Sequence, residues 1–147
     1  MTNDYEFMLK KNHLIDKNEI ASLGASLRAI EQKLLKQGHQ EGNIKIWFQG
    51  EEPYFDIFFE CNNDEILWFQ FTLRGKSLSW DRRKPELQTG ITNELCVDDV
   101  SFYAATKTID NDHQADWDFI YLVKSILATR AEEPIFAKAL ELFNLPK

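Results

Sequence analysis

Between Ile44 and Arg82 an apolar side chain recurs at every second position, and the recurrence is interrupted by three turn signals. Ile44, Ile46 and Phe48 point to one face, and Phe55, Ile57 and Phe59 resume it. Leu67, Phe69, Phe71 and Leu73, then Leu78 and Trp80, carry it to the end of the stretch. A period of two puts alternate side chains on opposite faces of a strand. Most of these residues are β-branched or aromatic, the types that fit a half-buried pleated surface. The turn signals are Gly50-Glu51-Glu52-Pro53, Asn62-Asn63-Asp64 and Gly75-Lys76, the last suited to a type II′ hairpin. Their lengths pair Phe48 with Phe55, Phe59 with Leu67, and Leu73 with Leu78. A one-residue slip at any turn would put the apolar face in water. The three turns agree, so the stretch predicts an antiparallel meander with one apolar face.

The same registers define the other face. One row reads Gln49, Tyr54, Thr72, Ser79; the next reads Trp47, Asp56, Gln70, Asp81; the third reads Lys45, Phe58, Trp68, Arg83. This face mixes aromatic rings with amides, hydroxyls and carboxylates. Trp47, Tyr54, Asp56, Trp68, Gln70 and Asp81 are its candidate binding residues. Tyr and Trp give interfaces rigid contact area, and the polar groups between them would orient a partner. Asp56 and Asp81, two strands apart, would stand about 9–10 Å from each other at the backbone. That spacing invites comparison with an acid–base carboxylate pair.

Helical periods flank the meander. Ile20, Leu23, Leu27, Ile30 and Leu34 predict a helix from Asp16 to Gln37, with Asp16 as N-cap, Gly38 as stop, and Gly24 and Ala25 allowing close packing on the sheet. A second helix is expected over residues 115–130, apolar nearly all round at Phe119-Ile120-Tyr121-Leu122-Val123 and therefore deeply buried. A third opens at Glu133 or Pro134, since proline suits the first helical position. Further strands are expected over residues 87–92 and 96–108, with Gly90 a bend or bulge and residues 110–113 a polar loop; residues 5–9 read as a strand or a packed arm. The fold class is therefore α+β: an antiparallel sheet of five or six strands, an N-terminal helix and two C-terminal helices. At 147 residues without a linker-like tract, a single domain over residues 1–147 is expected.

A net charge of −7 disfavours nucleic acid and anionic membrane and suits a basic partner. The basic run Arg74, Lys76, Arg82, Arg83 and Lys84 does not reverse this. The meander brings Arg74 and Lys76 to the end that holds Glu51 and Glu52, and Arg82 to Lys84 to the end that holds Asp64 and Glu65. No basic, apolar leader opens the chain, and no apolar run is long enough to span a bilayer. Cys61 and Cys96 form no metal-type spacing and are expected to be free thiols in a reducing, cytoplasmic compartment. Asp110, Asp112, His113, Asp116 and Asp118 tempt a metal reading. An EF-hand would need Gly and Glu where Ala115 and Tyr121 stand, so helix capping is the expected role. His13 and His39 have no ligand spacing, and no nucleotide-binding or nucleophile motif occurs. No cofactor is expected.

The run from Trp80 to Gln88-Thr89-Gly90, after aromatic strands, resembles small bacterial domains, some of them similar to immunity proteins that neutralise toxins. The resemblance covers residues 44–92 and rests on a tryptophan followed by Thr-Gly. It implies a protein-binding role without catalysis and assigns no functional residues. The expected function is thus a non-catalytic binding domain that meets a protein partner, or itself as a homo-oligomer, through the polar–aromatic face. The rival is a small enzyme or small-ligand binder with a pocket on that face.

Overall fold

The structure is a computed structural model that describes residues 16–30, 43–92 and 109–143. Within them an antiparallel seven-stranded sheet runs in strict sequence order, from β1 (Arg28–Ala29) and β2 (Asn43–Gln49) to β3 (Asp56–Asn62) and β4 (Glu65–Leu73). It continues through β5 (Lys76–Asp81), β6 (Lys84–Thr92) and β7 (Ile109–Asn111). Three helices, α1 (Lys17–Ser26), α2 (Trp117–Ala128) and α3 (Pro134–Leu142), complete the α+β architecture. The expected strands over residues 5–9 and 96–108, together with Cys96, His13, His39 and Gly38, lie outside the described residues.

The apolar face is core, and the helices pack on it. Phe136 meets Phe48 at 4.7 Å and Phe59 at 6.1 Å between ring centroids, while Phe143 meets Phe69 and Phe119 meets Phe71. Phe55, Ile57, Phe59, Phe69, Phe71 and Leu78 are all buried. Burying a phenylalanine side chain is worth about 1.5–3 kcal/mol, so this face holds the sheet to the helices. The second helix is the most buried of the described helices, with Phe119, Ile120, Leu122, Val123, Ile126 and Leu127 inside.

The register differs from the expected one by two residues along each pair of core strands, and by one at the Asn63–Asp64 turn itself. Phe48 pairs with Ile57, Ile57 with Phe71, and Phe71 with Leu78. A shift of two preserves which face each side chain takes, so the core survives while every cross-strand neighbour changes. The turns explain the shift. The first loop is longer than expected and closes through Gly50 N–H donating to the Phe55 carbonyl at 2.8 Å. Asn62 pairs directly with Glu65 around Asn63 and Asp64, both at positive φ, 52° and 68°. Arg74 and Gly75, at 52° and 83°, form the third loop, the two-residue geometry with both central φ values positive and not the II′ form. A bulge between Glu60 and Cys61 absorbs the odd residue. It gives the core position to Ile66, while Leu67, expected there, is half-buried.

Other boundaries are also corrected. The first helix stops at Ser26 and does not run to Gln37, because Arg28 and Ala29 turn out to pair with Gln49 and Phe48. The Ile30 N–H donates to the Trp47 carbonyl at 2.8 Å, a sheet bond that competes with the helical period. Gly24 approaches Thr129 at the end of α2 and not the sheet, and Ala25 is exposed. The fifth expected strand begins earlier, at Lys84, because Arg82 and Arg83 turn the chain tightly enough for Asp81 to pair with Lys84. Gly90 sits in regular pairing with Asn111, and the irregularity falls between Ser79 and Asp81. Asp110 and Asn111, expected in a loop, form β7.

Candidate functional site

All three helices lie against the apolar face, so the described part of the opposite face carries no helix. The corrected register redraws its rows. One row runs Gln49, Asp56, Thr72, Ser77; the second runs Trp47, Phe58, Gln70, Ser79; the third runs Lys45, Glu60, Trp68, Asp81, Lys84. Gln88 extends the second row beyond Ser79.

The first row is buried at its centre. Asp56, Thr72 and Ser77 are 4%, 0% and 2% exposed. Thr72 Oγ1 lies 2.7 Å from Asp56 Oδ1 and donates to it, so this carboxylate has its hydrogen bond inside the protein. Tyr54 precedes β3 in the first loop at φ 60° and belongs to no row; its carbonyl faces Thr72 Oγ1 at 3.2 Å. Asp56 is therefore removed from the accessible surface, and Tyr54 sits at its edge.

The other two rows are partly exposed. Trp47, Phe58, Gln70, Ser79, Glu60, Trp68 and Asp81 are all half-buried. Trp47 stacks on Phe58, with centroids 5.2 Å apart and planes 9° from parallel. Trp68 stands between Glu60 on β3 and Asp81 on β5. Beside it is a hollow of about 670 Å³ lined by Glu60, Leu67, Trp68, Asp81, Arg82 and Arg83. The structure thus groups Trp47, Trp68, Gln70 and Asp81 of the expected residues. It adds Phe58 and Glu60, which the expected register had placed beside other neighbours.

Asp56 and Asp81 are in different rows and do not form the expected carboxylate pair. Glu60 and Asp81 take that relation, one on each side of Trp68. An acid–base pair needs one carboxyl held protonated near neutrality. Asp81 moves the other way: hydrogen bonds from the Arg83 side chain and backbone hold its pKa down to about 2. The Arg83 guanidinium grips it through two contacts, at 2.7 Å and 3.1 Å. Asp81 is an anion near neutrality and has no proton to give there.

The charged turns are paired end by end, as the meander predicts. Arg74 bonds Glu52 at 2.6 Å and Glu19 at 2.7 Å, and Arg82 bonds Glu65 at 3.0 Å. Asp116 caps α2 by accepting from the Phe119 N–H, and Asp112 accepts from Thr89 Oγ1. Among the described residues no three His, Cys, Asp or Glu side chains converge in metal-binding geometry, and no helix is long and apolar enough to cross a membrane.

Among the described residues the architecture is α+β, with helices on one sheet face and polar–aromatic rows on the other. In comparisons with known proteins the chain matches no family model, no curated protein and no solved structure.

Proposed function

We propose that this chain is a non-catalytic binding domain that meets a protein partner, or a second copy of itself, through the face around Trp47, Phe58, Trp68 and Gln70. The observation that carries the reading is the half-buried aromatic group on the sheet face opposite the helices. Rings interleaved with polar groups are the composition of an interface and not of a plain solvent face. The reading accords with the expectation, from the resemblance of residues 44–92 to small bacterial domains of which some are similar to immunity proteins, of a protein-binding role. The proposed compartment is the cytoplasm. The hollow beside Trp68 favours a second reading, a small-ligand binder, because about 670 Å³ is within the range of ligand sites.

Gln70→Arg tests the first reading, because it sets a charge in the middle of the half-buried rows without touching the core. Light scattering of the wild-type chain, alone and with proteins captured from its source cell, gives the reference mass. Loss of association in Gln70→Arg, with an unchanged thermal melt, supports the interface. Unchanged association moves the interface elsewhere.

A further inference from the structure

The described lining of the hollow beside Trp68 holds two carboxylates, Glu60 and Asp81, and two guanidiniums, Arg82 and Arg83, but one guanidinium is paired outside it. Arg82 is paired with Glu65 at 3.0 Å and Arg83 with Asp81 at 2.7 Å. With those pairs assigned, the charge left over is the Glu60 carboxylate. Its Oε2 accepts from the neutral Asn43 amide at 2.9 Å. Lys45 faces Glu60 in the register, yet forms no ion pair with it among the described residues. Arg83 is held first by Asp81 and feels Glu60 only weakly. An indole and an unmatched carboxylate thus share one concavity on the accessible surface of the sheet.

We propose that this hollow is an arginine subsite: an arginine side chain of the protein partner enters it, its guanidinium against Trp68 and hydrogen-bonded to Glu60. The inference rests on the binding-domain reading and gives the partner a chemistry. A guanidinium is planar, stacks on indole faces and donates to a carboxylate through a fixed fork. Desolvation inside a hollow strengthens both contacts. An anion would face Glu60, and to reach Arg82 or Arg83 it would have to displace Glu65 or Asp81. The net charge of −7 also draws basic surfaces toward the chain.

The test uses the full chain with isotope-labelled indoles and a blocked Gly-Arg-Gly peptide at low ionic strength, where exposed charges are least screened. The Trp68 indole N–H resonance is assigned by its loss in Trp68→Phe. A saturable shift of that resonance is expected, with the affinity weakened about tenfold in Glu60→Gln. The matched Gly-Glu-Gly peptide should leave it unmoved. Absence of a saturable shift, or equal binding by Glu60→Gln, overturns the subsite. A response to the glutamate peptide overturns it too, and hands the hollow to anions. Light scattering separates the two levels: if association is present and blocked by Gln70→Arg while the arginine peptide fails, the subsite falls and the binding domain stands.

Discussion

The Trp47 indole lies flat on Phe58, 5.2 Å away and 9° from parallel, on the sheet face that the described helices leave alone. The two residues are direct partners across β2 and β3. Aromatic pairs of this kind add about 0.5–1.5 kcal/mol beyond the area they bury. A double-mutant cycle with Trp47→Ala and Phe58→Ala, read by urea melts, should return a coupling of that size. Coupling near zero would place the rings apart in solution.

Ile66 and Leu67 distinguish the observed register from the simple alternation. Ile66 is 7% exposed and in the core, and Leu67 lines the hollow. Ile66→Ala should cost about 2–5 kcal/mol in a urea melt, the usual range for truncating a buried aliphatic side chain. Leu67→Ala should cost less, because it removes a half-buried side chain. The reverse order would remove the bulge between Glu60 and Cys61.

Asp116 ties α2 to the sheet and to pH. Its Oδ1 accepts from the Phe119 N–H at 3.1 Å and its Oδ2 from Lys76 Nζ at 2.9 Å. Burial pushes its pKa up, but the hydrogen bonds and the Lys76 charge outweigh burial and leave it lowered. A lowered folded pKa means the contribution is complete above the unfolded value of about 3.9 and is lost as pH falls through the folded one. Asp116→Ala should therefore cost about 0.5–2 kcal/mol at neutral pH, as cap removals do. The gap from wild type should narrow in acid. Denaturant melts at both pH values check it.

Asp81 and Arg83 make a charge prediction and not a stability prediction. The Asp81 carboxyl should titrate at about 2 by carboxyl-carbon NMR. Arg83→Ala should raise it only part of the way toward about 3.9, because the backbone N–H of residue 83 still donates at 2.9 Å. Arg83 is 89% exposed, so solvent and salt screen the pair and the melting temperature should hardly change.

What the sequence determined by itself is parity. Phe48, Ile57, Phe59, Phe69, Phe71 and Leu78 reach the core because a pleated strand sends alternate side chains to opposite faces, and a two-residue shift leaves that assignment intact. The three described helices were legible for a similar reason: a local period and local caps, Asp16, Asp116 and Pro134, specify each of them.

Tertiary structure decided which residues are neighbours. Trp47 meets Phe58, and Trp68 stands between Glu60 and Asp81, because of backbone angles at Asn63, Asp64, Arg74 and Gly75 and one bulge after Glu60. Residue type constrains those angles weakly: Asn, Asp and Gly tolerate positive φ, but Arg74 gives no such signal. The helical period through Ile30 likewise lost to a partner far along the chain, the Trp47 carbonyl. Except at the bulge, which exchanges Ile66 for Leu67, face assignment is a property of each strand alone, whereas neighbour assignment depends on loops whose geometry is settled only when two strands meet.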